Sequence, residues 1–149
     1  MTKIVTFLLL ITATAGLAQV QKVNDQTRYN SDNRSFYVWS EPKQVYELKE
    51  NEFENSIIDI REIASRSNGY IILSLNDDGN VRLYHGSILS WDKDENGNSV
   101  WVMRSKNARG KLVFDAKDRT MTYSYESNGD RYVKIFVFNL VPDMLVKEN

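Results

Sequence analysis

From Ser35 onward the apolar positions fall in short β-rich runs broken by turn residues, the mark of an antiparallel β domain. The runs predict strands over residues 35–40, 55–63, 69–76, 81–85, 100–105, 111–115, 121–126 and 132–140. Between them lie Asn76-Asp77-Asp78-Gly79-Asn80, Glu95-Asn96-Gly97-Asn98, Ala108-Arg109-Gly110 and Ser127-Asn128-Gly129-Asp130. Asn-Gly and Asp-Gly pairs tolerate the positive φ angles of tight hairpins. Residues 42–54 carry two signals: Pro42 opens a helix bearing Val45, Leu48 and Phe53, or residues 45–49 form another strand, the preferred reading. The expected fold is all-β, a single antiparallel meander of about eight or nine strands closing as a barrel or a sandwich.

The alternation also speaks to layering. Met121, Tyr123 and Tyr125 alternate with Thr120, Thr122 and Ser124, as in a sheet with one wet face. The last run does not alternate: Tyr132, Phe136 and Phe138 point one way, and Val133, Ile135 and Val137 the other. Residues 70–73 and 100–103 are likewise apolar on both faces. A cover is therefore expected over these outer faces: a second sheet, the 42–54 segment or another subunit.

The first 34 residues differ from the rest. Lys3 precedes an apolar stretch, Ile4 to Ile11, followed by Ala13, Thr14, Ala15, Gly16, Leu17 and Ala18. A positive start, a short apolar core and a small-x-small end predict a signal peptide over 1–18, cut after Ala18. The stretch is too short to span a membrane, which takes roughly 20 apolar residues. Residues 19–34 are polar and read as a flexible lead-in, 35–141 as the β domain and 142–149 as a tail after Pro142. The expected destination is secreted or periplasmic, with no transmembrane segment in the mature chain.

Composition narrows the classes of function. Removing the leader leaves 131 residues with 18 basic and 20 acidic side chains, a balance that offers no field for nucleic acid. Cysteine is absent, which excludes disulfides, thiolate metal sites and a cysteine nucleophile. A chain of this length buries enough apolar surface to fold without them. Fourteen asparagines, with abundant Lys, Glu and Ile, suggest a bacterial source.

Five constellations carry candidate chemistry. Asp92, Asp94 and Asn96, with Gly97, resemble the opening of an EF-hand calcium loop, but Met103 stands where its closing Glu would fall. His85, the lone histidine, lies near Ser87 and Ser90 without a nucleophile-elbow motif. Its place after Val81 and Leu83 suggests the inward face of its strand. Asp59, Glu62, Asp77, Asp78, Asp115 and Asp118 are carboxylates whose spacing says nothing of the separation glycoside hydrolysis needs. Arg104, Lys106, Arg109 and Lys111 crowd one hairpin and form a candidate anion site. Trp101, Phe114 and Phe136 would line a ligand cavity if the sheet closes as a barrel. The export leader and eight-stranded meander resemble the lipocalins in architecture. Tyr37-Val38-Trp39, however, has Tyr where that family's Gly-x-Trp has Gly, so no binding residue is carried over. The expectation is a non-catalytic binding or interaction protein of the bacterial envelope or exterior, without a cofactor. Its partner would be an envelope protein or a small apolar ligand, and a hydrolase is the lesser alternative.

Overall fold

The computed structural model describes residues 23–106 and 108–142, so the leader expected over residues 1–18 lies outside them. Among the described residues there is no helix. Eight strand elements follow in order: β1 (Val23–Ser40), β2 (Val45–Glu52), β3 (Ser56–Asp77), β4 (Asn80–Lys93), β5 (Ser99–Arg104), β6 (Arg109–Asp115), β7 (Thr120–Ser127) and β8 (Tyr132–Leu140). The ambiguous 42–54 segment thus contains a strand.

β3 turns back on itself. Ala64 and Gly69 have left-handed backbone, with φ of 64° and 130°. Asn68 Nδ2 donates to the Ile63 carbonyl at 2.9 Å, and Asn76 N donates to the Asn55 carbonyl at 3.0 Å. Residues 56–63 and 69–77 therefore run antiparallel. A Cβ on Gly69 would lie 1.8 Å from the Arg61 carbonyl oxygen, so only glycine permits this approach. The described residues thus form nine antiparallel runs, eight of which close into a barrel: β1, the two runs of β3, then β4 to β8 and back to β1.

Closure depends on the length of β1. Its 18 residues span about 60 Å at 3.3 Å per residue, enough to change partners midway. Val23–Ser31 pairs with β3, and Arg34–Ser40 pairs with β2. The opposite edge meets β8 from Ser31 to Val38. A register slip between Ser31 and Asn33 bends the strand there, and the Ser31 hydroxyl donates to the Asn33 carbonyl at 2.6 Å. β2 stands outside the ring and prolongs it beyond the start of β3.

Residues 23–34, read from sequence as a flexible lead-in, are instead the first half of β1. Their polar side chains find cross-strand partners. Arg28 forks onto Asp59 at 2.7 and 2.9 Å, and Arg61 donates to Gln26 at 3.2 Å. Pairing of this kind supports a strand with little apolar surface.

The barrel axis is filled. Ile58, Ile71, Leu73, Leu75, Leu112, Met121, Phe136 and Phe138 are fully buried inside, with Ile60, Ile88, Trp101, Met103, Tyr123 and Tyr125 nearly so. Eight-stranded barrels leave an interior just wide enough for side chains. The expected cover over the outer faces is not a second layer. Val133, Ile135 and Val137 remain half-buried on the outside, with Tyr37 in register between Ile135 and Leu48.

Arg34 is the one fully buried charged side chain among the described residues. Its guanidinium donates to Ser56 Oγ at 2.8 Å and the Asn76 carbonyl at 2.6 Å, and forms an ion pair with Glu52. Arg82 reaches the same Glu52 at 3.0 Å and Asp77 at 3.0 Å. This network ties β1 and β2 to β3 and β4 where β2 takes over from β3.

Candidate functional site

The β7–β8 hairpin is built by Asn128 and Gly129. The Asn128 side chain accepts from the Arg131 and Asp130 amides at 3.1 and 3.3 Å, and Gly129 takes φ 99°. The turn throws Arg131 outward, where its guanidinium carbon sits 4.0 Å over the Trp39 ring. Trp39 meets Tyr46 edge-on at 5.0 Å, and the Tyr46 hydroxyl donates to the Tyr132 carbonyl at 2.6 Å. β2, the strand outside the ring, is thereby joined to the hairpin.

Tyr46, Ser127, Gly129, Asp130, Arg131 and Tyr132 wall a cleft of about 600 Å³, completed by Arg109 and Lys111 from β6. Lys111 Nζ lies 5.8 Å over the Tyr132 ring. Burial raises the Tyr132 phenol above its ordinary pKa, against an opposing pull from Arg109. Arg109 is paired in register with Arg104 on β5, and a smaller cavity beside them is lined by Arg104, Lys106, Ala108 and Arg109. Among the described residues, none of Arg104, Lys106, Arg109, Lys111 and Arg131 lies in an ion pair. Asp130 is the one carboxylate in the cleft wall.

The structure thus brings the four cations read from sequence onto one flank and adds Arg131, Trp39, Tyr46 and Tyr132. Arg131 escaped the sequence reading because twenty residues separate it from Lys111. Antiparallel pairing of β6, β7 and β8 closes that gap.

The other candidates scatter. Trp101 and Phe114 border a cavity at the barrel mouth where β1 begins, whereas Phe136 is sealed in the core against Phe36, Tyr84, Tyr125 and Phe138. Asp94 accepts from the Asn96 and Asn98 amides at 2.9 Å each and from Asn98 Nδ2 at 3.1 Å. Those bonds, the Asn98 amide first, lower its pKa. Asp92 accepts from the Lys93 amide at 2.7 Å. The carboxylates and Asn96 of the calcium-like loop therefore close their own turn, and no group of three or more His, Cys, Asp or Glu suited to a metal gathers among the described residues.

His85 does not face inward as the alternation suggested. Its register partner Ile72 lies between the buried Ile71 and Leu73, so His85 points outward with Val81 and Leu83. It shares a shallow cavity of about 280 Å³ with Ser87 and Ser105, and no carboxylate lines it. Asp59 is taken by Arg28, Asp77 by Arg82, and Asp115 by the amides of its own turn. Compared with known proteins, the chain matches no family model, no curated protein and no solved structure.

Proposed function

We propose that this chain is a non-catalytic binding protein, exported to the bacterial envelope or exterior, which takes an anionic partner in the flank cleft. The carrying observation is the convergence of Arg109, Lys111 and Arg131 on one wall, without ion-pair partners among the described residues and beside the Tyr46 and Tyr132 rings. Cations left without carboxylates keep their hydrogen-bond donors for an incoming carboxylate, phosphate or sulfate. Guanidinium is suited to the task, because its planar fork meets such groups two bonds at a time. The ring faces add apolar contact for the body of the ligand. A slightly acidic chain with one cationic flank binds acidic partners locally, and does so weakly at high salt.

Sealing of the barrel axis bears on the small apolar ligand considered from sequence. Phe136 leaves no space beside it, so room for a ligand lies at the surface clefts and mouths. The test is titration with pyrophosphate and with a sulfated polysaccharide at low and high salt. Saturable binding that salt weakens, and that Arg109→Ala with Lys111→Ala and Arg131→Ala removes, is the expected result. Equal binding by that triple variant would sink the reading.

A further inference from the structure

The flank cleft does not end at Arg109. That residue also borders a hollow of about 210 Å³, lined with it by Arg104, Lys106 and Ala108. Arg104 and Lys106 in turn line a hollow of about 280 Å³ with Tyr70, His85 and Ser87. Each hollow shares a cation with the next, so the three adjoin as one groove.

Strand register explains the alignment. Tyr70 pairs with Ser87, Ser87 with Arg104, and Arg104 with Arg109. Directly opposed residues of antiparallel strands share a face. Their chain neighbours Ile71, Gly86, Met103 and Gly110 are buried, so the row itself runs on the outer surface. It crosses three strand gaps, about 14 Å at roughly 4.8 Å each. Beyond Arg109 the lining continues with Lys111, Arg131 and Tyr132.

Charge along the row is one-sided. Arg104 directly opposite Arg109 is a like-charge pair, which disfavours the hairpin that carries it. Neither has an ion-pair partner among the described residues. Asp130 is the one carboxylate lining any of the three hollows. An anion held between the two guanidinium groups relieves their repulsion and takes up their free donors.

The length and lining of the groove select among anions. A lone phosphate or sulfate covers little of it, whereas a chain bearing charges at intervals follows the whole row. Ser87, Ser105 and Ser127 line the groove, with Tyr70 toward one end and Tyr46 and Tyr132 toward the other. Hydroxyls and rings suit a sugar chain, which offers hydroxyls of its own and apolar C–H faces. Single-stranded nucleic acid needs aromatic platforms interleaved with the cations. The row holds no ring between Tyr70 and Arg109.

We infer that the flank cleft is one end of an extended groove for an acidic polysaccharide, one bearing carboxylate or sulfate groups. This rests on the anion reading of the cleft and extends it along Tyr70, Ser87, Arg104 and Arg109. Arg104 and Arg109 hold one charged group between them, Lys111 and Arg131 hold another, and Tyr70 packs on a sugar at the far end.

Calorimetry of the full chain with pyrophosphate, a heparin disaccharide and a heparin fragment long enough to cross the row tests the inference. The long fragment should bind at least about tenfold more tightly than the disaccharide, the gain that one added charge-assisted contact supplies. Arg104→Ala with Lys106→Ala should abolish that gain and leave pyrophosphate binding unchanged. Tyr70→Ala should weaken the long fragment alone. Lys93→Ala with Lys117→Ala, near the opposite ends of β4 and β6, should change none of these. Equal binding of the two lengths, or an equal loss in the Lys93 and Lys117 control, would overturn the groove. Long-chain polyphosphate or oligothymidylate binding as tightly as the long fragment would overturn the polysaccharide. Pyrophosphate reads the cleft separately: if it binds without any length effect, the cleft stands and only the groove is lost.

Discussion

The chain treats its arginines in two opposite ways. Around Arg34 the charges are matched, with the buried Arg34 and the partly exposed Arg82 sharing Glu52, and the exposed Asp77 completing the set. Along the flank, Arg104, Arg109 and Arg131 are exposed and unmatched by described carboxylates. A buried guanidinium must find acceptors or the fold fails, so its environment is tightly constrained. Exposed charges cost little to leave alone, because water and salt screen them. Convergence without a neutralising carboxylate therefore points to a use, whereas burial beside an ion-pair partner points to architecture. The contrast separates the residues that hold the barrel from those that meet a partner.

The sharpest way to break this comparison is Arg34→Leu. It leaves Glu52 without its buried partner, and removing one member of such a pair typically costs about 3–5 kcal/mol. Chemical denaturation gives the number, and a loss below ~1 kcal/mol would show the network to be dispensable. Phe136→Ala tests the apolar half of the same framework and should cost roughly 3–5 kcal/mol, since its site is fully enclosed.

Alkaline pH probes the core more gently. Burial first, and then neighbouring Tyr84, hold the Tyr123 and Tyr125 phenols well above their ordinary pKa. Tyr84 Oη lies 3.4 Å from Tyr125 Oη. A raised folded-state value means full stability below pH ~10, where unfolded tyrosine titrates, and a loss as pH climbs further. Phenolate absorbance from these two residues should appear only as the protein unfolds. Early ionisation in the folded state would place them in water.

Gly129→Val should cost on the order of 1 kcal/mol, because φ of 99° strains a side chain even though nothing lies within 4 Å to clash with it. It should also displace Arg131 and so weaken anion binding. Smallest of all, Arg109→Ala and Lys111→Ala should each change stability by less than ~0.5 kcal/mol. Their effect belongs in the binding titration. A large stability loss there would move the flank cations into the structural class and erase the distinction.

Much of the fold was legible in the chain because turns are local. The Asp78-Gly79, Asn96-Gly97 and Asn128-Gly129 positions carry the positive φ angles expected of Gly at hairpin tips, and Asp78 adopts one too. β8 runs over the same residues that its apolar run marks, Tyr132 to Leu140. The first half of β1 was illegible for the converse reason: its polar residues are stabilised by Asp59 and Arg61, some thirty positions away. Half of the cleft was visible as a basic hairpin. The other half, Arg131 with Trp39, Tyr46 and Tyr132, is assembled by pairings that join both ends of the domain.

The sequence by itself determined an all-β chain, the sites of its hairpins and a local excess of cations, since alternation and turn chemistry act over a few residues. Tertiary structure decided the rest: that the sheet closes through β1 and β8, that Arg34 is buried, that β3 folds back on Gly69, and that Glu62 faces the barrel mouth. Each depends on which strands meet and in what register. One residue of slip would turn every side chain to the opposite face.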